Sequence, residues 1–548
     1  MPFGNYAPFP GVQLNGRTWP DKRITAAPTW CSVDLRDGNQ ALIEPMGAHT
    51  KRRMFDLLVS IGFKEIEVGF PAASQTEFDF VRMLIDEDLI PPDVTIQVLT
   101  QAREDLIRRT FEAVHGAKHV IMHVYNSTSE LQRRVVFGLD EAGITKIAVD
   151  AAQLIKKLAS ERLETEWIFQ YSPESFTGTE LEFAADICNA VLDVWQPTPE
   201  RKVIINLPAT VEMSTPNVYA DMIEWMGRHI SQRESVVISL HTHNDRGTGV
   251  AATELGLMAG AERVEGTLFG NGERTGNADI VTLALNLMSQ GIDPSLDFSD
   301  VEEVARVARE CTNIPVHERH PYAGLLVFTA FSGSHQDAVS KGLRARKTSN
   351  SPFWEVPYIP IDPRDVGRGY QPLIRINSQS GKGGLSHVME HDYGLRLPRG
   401  LQIDFSAVMK RVADKTGKEI LPQELLELFN SEYLRTHPFE LVDYSHLPAE
   451  GGREMTARVK FNGIETEIVG TGNGPVDAFV DTLRAAFDID LSVVDLGVHS
   501  VGSGSDALAV AYVLVRFPGR PATWGIGMDE DTAAASLHAV VSAVNRAN

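Results

Sequence analysis

His241 and His243 flank a single threonine at the end of an apolar run, and an i, i+2 spacing in a strand turns both imidazoles to one face. Two imidazoles with a carboxylate in reach make a ligand set for a divalent ion. The carboxylate candidate is Asp37, which follows Arg36 just after a second apolar run, Trp30 to Leu35, bounded by Pro28 and Gly38. Taken alone, Arg36 and Asp37 read as a strand-end ion pair, which is costly in a buried setting unless it is used. With the two histidines in view, alternation along the strand end turns Asp37 toward an ion and Arg36 toward substrate, so the two side chains need not touch. Asn277 adds a neutral oxygen. Two histidines, one carboxylate and one amide leave coordination positions open, the pattern of a catalytic metal, and the mixed nitrogen and oxygen donors leave Zn, Mn and Mg all open.

A metal that holds a keto acid through its carboxylate and ketone polarises the carbonyl carbon, and the Arg36 guanidinium beside it would stabilise the alkoxide formed on attack. Glu174 and Thr210 would position the keto acid or a water. The run Gly270 to Asn277 is glycine-rich, yet it lacks the Lys-Ser/Thr ending of a phosphate loop. It is expected to fold tightly, with Glu273 and Asn277 facing the metal.

These groups need elements that bring them to one rim. From residue 28 to about 315, strand-like runs alternate with amphipathic helical runs, and eight strands are expected over Thr29–Leu35, Glu65–Phe70, Thr95–Thr100, His119–Tyr125, Glu166–Tyr171, Lys202–Leu207, Val236–His241 and Val264–Phe269. Eight such units match an α/β (β/α)8 TIM barrel, with a doubly wound open sheet as the alternative. Barrel sites collect at strand C-termini, and there stand Arg36, Asp37, Asn126, Glu174, Thr210, His241, His243 and the Asn271–Asn277 run.

The remaining chain divides into an N-terminal arm (1–27) rich in Pro and Gly, a mainly helical linker region (316–436) and a small α+β C-terminal domain (437–548). The last carries a weak repeat, in which Gly470-Thr471-Gly472 and Gly525-Ile526-Gly527 each read as a turn between a strand and a helix, an internal ββα pseudo-repeat. Gly502-Ser503-Gly504-Ser505-Asp506 between the halves either cradles an anion or amino-acid carboxylate with backbone N–H groups or only turns the chain.

Composition narrows the partners. Fifty-one basic against 73 acidic residues leave a formal charge of −22, which argues against nucleic acid or an anionic membrane. The three cysteines, Cys31, Cys188 and Cys311, have no CxxC spacing, so a reducing, cytoplasmic setting is the default. No targeting signal or run of about 18 apolar residues is legible, and a soluble protein is expected.

Asp34-Leu35-Arg36-Asp37-Gly38-Asn39-Gln40, His241-Thr242-His243-Asn244-Asp245 and Gly270–Asp279 together resemble the metal-dependent Claisen-condensing (β/α)8 enzymes, a family that includes 2-isopropylmalate synthase, homocitrate synthase, citramalate synthase and 3-hydroxy-3-methylglutaryl-CoA lyase. The pattern is nearest to the 2-isopropylmalate synthase branch, as are Ser172-Pro173-Glu174, Asn206 to Thr210, Ser334 to Asp337 and Asp362 to Tyr370. The resemblance implies condensation of acetyl-CoA with 2-oxoisovalerate, Asp37, His241 and His243 as ligands of a divalent metal with Asn277 close by, Arg36 as the oxyanion group, Thr210 holding the keto acid and Glu174 ordering the site. It further implies that His335 and Tyr370 of a partner subunit assist enolisation or thioester hydrolysis. A homodimer is implied, with leucine as effector of the C-terminal domain through Gly502, Gly504 and Ala507. A homocitrate or citramalate synthase using another 2-oxo acid is the alternative.

Overall fold

The computed structural model describes residues 2–5, 7–330, 332–369, 382–416, 420, 422–449, 452–502 and 507–547. They form two compact units, Met1–Val327 with Ile361–Gly369, and Phe328–Pro360 with Tyr370–Asn548.

In the first unit eight parallel strands close a barrel in sequence order: β1 (Thr29–Ser32), β2 (Glu65–Gly69), β3 (Thr95–Gln101), β4 (His119–Ser127), β5 (Glu166–Glu174), β6 (Val203–Ala209), β7 (Val236–Thr242) and β8 (Arg263–Gly266). β8 returns to β1 with Cys31 opposite Glu265, and β2 flanks β1 on its other side with Cys31 opposite Glu65. The crossover helices pack apolar side chains against this wall; Ala48–Ile61, for example, buries Met54, Phe55, Leu58 and Ile61 on one stripe. Several start on side-chain caps, as where Ser74 accepts from Glu77 N and Asp140 from Gly143 N, satisfying N–H groups that have no intrahelical partner. The N-terminal arm docks on the helix Pro216–His229, where the Glu224 carboxylate accepts the backbone N–H groups of Thr18 and Trp19 at 3.0 Å and Asp221 accepts Trp19 Nε1 at 2.7 Å.

Two strands stop three residues earlier than expected, and both changes bear on the site. β1 ends at Ser32 because Asp34–Gly38 wind into one π-helical turn. Asp34 pins that turn, accepting Ser32 Oγ at 2.8 Å and Leu268 N at 3.1 Å. β8 ends at Gly266, after which Leu268–Gly270 make a 3-10 turn with Phe269 left-handed at φ 58°.

The second unit carries helices Gly333–Thr348, Lys382–His391, Arg399–Thr416 and Pro422–Tyr433, then two antiparallel three-stranded sheets. These are β9 (Phe439–Ala449), β10 (Gly452–Phe461) and β11 (Ile464–Gly472), followed by the helix Pro475–Phe487, and β12 (Ser492–Val501), β13 (Leu508–Arg516) and β14 (Thr523–Asp529), followed by the helix Thr532–Ala547. Each half therefore has one strand more than the repeat predicts. The extra strands β9 and β12 are mostly solvent-exposed, so no hydrophobic alternation marks them. β13 is buried on both faces: Ala509, Ala511, Val513 and Val515 join the core beneath the two C-terminal helices, while Val510 and Tyr512 pack with Leu401, Phe405 and Phe429 of the preceding helical segment.

The two Gly-x-Gly motifs are not turns. They lie inside β11 and β14, where a Cβ on Gly470, Gly472, Gly525 or Gly527 would collide with the backbone of the following helix. Glycine is used there for close approach of backbone to backbone. Among the described residues no helix is long and apolar enough to cross a membrane, and all three cysteines are buried and unpaired.

Because the atoms met at Gly527 are helix backbone, Gly527→Val is expected to destabilise the C-terminal domain by roughly 1–3 kcal/mol or more. Hydrogen exchange read by mass spectrometry should accelerate in β14 and the Thr532–Ala547 helix and leave barrel peptides unchanged; unaltered exchange there would contradict the close-approach reading.

Candidate active site

The π-helical turn after β1, the end of β7 and the loop after β8 deliver the predicted cluster. Asp37, His241 and His243 are buried, and one ligand-capable atom from each lies within 4.8 Å of the others. Asp37 Oδ2 is 3.2 Å from His241 Nε2 and 3.7 Å from His243 Nε2, and it accepts Asn277 Nδ2 at 2.8 Å. Asn277 is held there by a bridge to His243, its N–H reaching Gly270 O at 3.1 Å. Two buried atoms in this group have no partner, His243 Nδ1 and Asn277 Oδ1. An orphaned amide oxygen beside two imidazoles and a carboxylate is a donor set that a divalent cation satisfies, so the residues fit a metal.

Electrostatics separates the members. Burial pushes the Asp37 carboxyl upward, but the Arg36 guanidinium and the His241 hydrogen bond outweigh it and hold Asp37 far below the usual carboxylate range. Burial lowers His241, yet the hydrogen bonds it donates to Asp37 and Glu265 carry it up to about 9. His243 is pushed down to about 4 by burial and by the charge of His241, so it is neutral at pH 7 with a lone pair available.

Arg36 departs from the expectation. Its Nη1 lies 2.8 Å from Asp37 Oδ1, and its Nε donates to Glu67 Oε2 at 2.5 Å. The two neighbours touch because the chain turns at Asp34–Gly38 instead of continuing as a strand, so strict alternation of sides is lost. Asn126, expected on the rim, is a packing residue: it is buried, accepts Tyr171 OH at 2.9 Å and donates to Ile144 O at 3.5 Å.

A cavity of about 290 Å³ opens at this end of the barrel, lined by Arg36, Asp37, His241, His243, Glu174, Thr210 and Glu273 together with Phe70, Leu99, Tyr125 and Pro208. Glu174 accepts Ser127 Oγ, and Thr210 Oγ1 accepts Ser175 N at 2.9 Å. Glu273 lines the cavity outside the three-residue cluster, with Gln40 Nε2 at 3.4 Å. Arg274, also on the cavity wall, is tied to Asp245 at 2.7 Å. The other expected residues belong to the second unit. His335 is exposed on Gly333–Thr348 and its ring stacks on Tyr358 at 4.0 Å. Gly502, left-handed at φ 93°, and Ala507 bound the connection between β12 and β13. Tyr370 and Gly504 lie outside the described residues.

Sequence reading missed the polar interior beneath the cluster. Glu67, Gln97, His123, Gln170, Asn206, Arg263 and Glu265 are all buried, one or two to a strand. Glu67 accepts from His123 at 2.8 Å and Gln97 at 3.0 Å, and His123 Nε2 meets Ser172 Oγ at 2.7 Å. Arg263 spans Glu65 at 2.5 Å, Glu265 at 2.9 Å and Ser239 at 2.9 Å. The signal was present: Glu65-x-Glu67 and Arg263-x-Glu265 put two charges at period two in strands, and that period aims both at the barrel axis.

Arg263→Met removes the cation that joins Glu65 to Glu265, and a loss of about 3–5 kcal/mol of barrel stability is expected. Denaturant unfolding followed on the barrel should show a lower midpoint; a midpoint equal to that of the parent protein would count against the charge balance described here.

A family model described as HMGL-like matches residues 27–308, one described as alpha-isopropylmalate synthase, post-catalytic domain-like, matches 325–390, and one described as LeuA allosteric (dimerisation) domain matches 419–548. The chain is 57% identical over 549 residues to a 2-isopropylmalate synthase of Rhodospirillum rubrum, covering 99% of this chain and 98% of that protein. It is 58% identical to a protein of the same name from Parafrankia sp., covering 100% and 98%. A hydroxymethylglutaryl-CoA lyase structure from Pseudomonas aeruginosa superposes with a TM-score of 0.43 at 17% identity, over 54% of this chain and 95% of that one. With identity at this level along both full lengths, the chain belongs to the 2-isopropylmalate synthase family.

Proposed function

We propose that this protein condenses acetyl-CoA with 2-oxoisovalerate and hydrolyses the resulting thioester, giving 2-isopropylmalate and free CoA. The single observation that carries this reading is the placement of Arg36 against the Asp37, His241 and His243 cluster in a cavity that Phe70, Leu99 and Pro208 also line. The polar lining residues meet a carboxylate and ketone, and the apolar ones a branched alkyl group. Both guanidiniums lining the cavity are already paired, Arg36 with Asp37 and Glu67 and Arg274 with Asp245, so the second carboxylate of a 2-oxoglutarate-like substrate finds no spare cation there. This favours a keto acid with an alkyl tail over the substrate of a homocitrate synthase.

Asp37, His241 and His243 hold a divalent metal, Mg, Mn or Zn, with Asn277 Oδ1 as a further oxygen. When bound, the metal supplies Lewis-acid polarisation of the ketone. Thr210 and Glu273 orient the keto acid, and Glu174 orders the cavity wall near Tyr125. The acetyl methyl gives up a proton to a base, its carbon bonds to C2 of the keto acid as the ketone oxygen takes up the negative charge and then a proton, and water adds to the thioester carbonyl as CoA leaves as the free thiol. Arg36 stabilises that oxyanion from a site where burial strengthens the interaction. His335 and Tyr370 assist enolisation or thioester hydrolysis from a partner subunit. The C-terminal domain mediates homodimerisation and binds leucine as an inhibitor, with Gly502, Gly504 and Ala507 in contact with it. The working compartment is the cytoplasm.

A thiol-release assay with acetyl-CoA and a panel of 2-oxo acids tests the reaction and the substrate together. 2-Oxoisovalerate is expected to exceed 2-oxoglutarate in kcat/KM by at least about 100-fold, since rejection comes from an unpaired buried charge; preference for 2-oxoglutarate or pyruvate would move the protein to another branch. Asp37→Ala and His241→Ala should reduce kcat by at least about 1000-fold with the protein still folded, and full turnover in either after metal stripping would overturn the metal assignment. Leucine should inhibit, and Ala507→Phe should move the inhibition curve to at least about tenfold higher leucine, one contact's worth of binding free energy; identical curves would remove Ala507 from the effector site.

A further inference from the structure

The Glu265 side chain, in the middle of β8, is 1% exposed, and its two oxygens are used differently. Oε1 accepts from Arg263 at 2.9 Å, Gln97 at 2.9 Å and Gln170 at 2.7 Å. Oε2 meets His241 Nδ1 at 2.8 Å and accepts Asn206 Nδ2 at 3.2 Å. Donors from β3, β5, β6 and β8 thus hold the carboxylate in one orientation before it meets the imidazole. An ionised carboxylate only accepts, so the hydrogen in the contact to His241 sits on Nδ1. The opposite ring nitrogen, Nε2, is the one at Asp37. His243 has no such anchor, because its Nδ1 is buried without a partner.

We infer that Glu265 is the positioning residue of the metal centre: through Oε2 it holds the His241 ring by Nδ1–H and so presents Nε2 to the ion, while Arg263 balances its charge. The inference rests on the proposed assignment of Asp37, His241 and His243 as ligands. It makes the two histidines unequal, one oriented by the barrel interior and the other with no hydrogen bond on its Nδ1. It also explains the buried Arg263, which would otherwise be an expensive cation in the core of an acidic protein. Glu67 is the natural comparison, equally buried and ionised but bonded to Arg36 and His123 with no contact to His241.

The full-length protein, stripped with chelator, is titrated with Zn²⁺ and Mn²⁺ against a chromophoric competitor, and the Co²⁺ form is read by its visible absorption. Glu265→Gln, which keeps shape and loses charge, and Glu265→Asp, which keeps charge and withdraws the oxygen from Nδ1, should each weaken metal binding 10–100-fold and alter the Co²⁺ band, while Glu67→Gln changes affinity less than about threefold. Metal affinities of both Glu265 variants within threefold of the parent, or an equal loss in Glu67→Gln, would overturn the inference, as would failure of both Glu265 variants to fold, which would make the residue structural. Binding by the parent that His241→Ala abolishes keeps the ligand assignment whatever the Glu265 variants do. Metal affinity unchanged in His241→Ala would instead sink the assignment itself.

Discussion

Between Glu65 near the start of β2 and Asp37 above β1, charges of opposite sign follow one another in contact through the barrel: Glu65 to Arg263, Arg263 to Glu265, Glu265 to His241, His241 to Asp37, Asp37 to Arg36, and Arg36 to Glu67. Several of these side chains are wholly buried, and an isolated charge in such a place costs far more free energy than a folded chain has to spare. Each is tolerable only because the next is in hydrogen-bond contact. The strand register decides that contact, with Cys31 of β1 opposite both Glu65 and Glu265, so the polar interior and the closure of the barrel depend on one another.

The site at the top inherits this constraint. Asp37 is kept ionised by Arg36 and the histidines although it is buried, and His243 is kept neutral by burial and by its charged neighbour. An ionised carboxylate and a neutral imidazole are ready to donate to a cation, whereas His241, carried up to about 9, would have to release its Nε2 proton to do the same. Arg36, shared between Asp37 and Glu67, is a poor candidate for a freely swinging cation. Fixed donors suit the stabilisation of developing negative charge, because no reorganisation is needed as the charge appears.

In the second unit the governing feature is absence of side chains. Glycines at 470, 472, 525 and 527 let two helices lie directly on two sheets, and β13 then has both faces covered, one by those helices and one by Leu401, Phe405 and Phe429. A strand covered on both sides cannot show the alternation of a half-exposed one. That is why Leu508–Arg516 reads as a continuous apolar run and its partner β12, with little buried, hardly reads as a strand at all.

Much was legible without coordinates. Period-two and period-3.6 patterns in alternation determine eight βα units, and the residue types after the strands determine that Asp37, His241, His243 and Asn277 belong to one rim, because a closed parallel barrel has a single C-terminal end. Tertiary structure alone decided the rest. Whether Arg36 meets Asp37 depended on a turn pinned by Leu268 N, 234 residues away in sequence. Whether Gly-x-Gly was a turn or a landing strip depended on how closely a helix approached. In sequence Glu67, Arg263 and Glu265 read only as charges at period two and Gln97 as a lone interruption of an apolar strand, and closure of the barrel turns them into partners. Local pattern encodes which face a side chain occupies; which partner waits on that face is set by contacts between strands far apart in the chain.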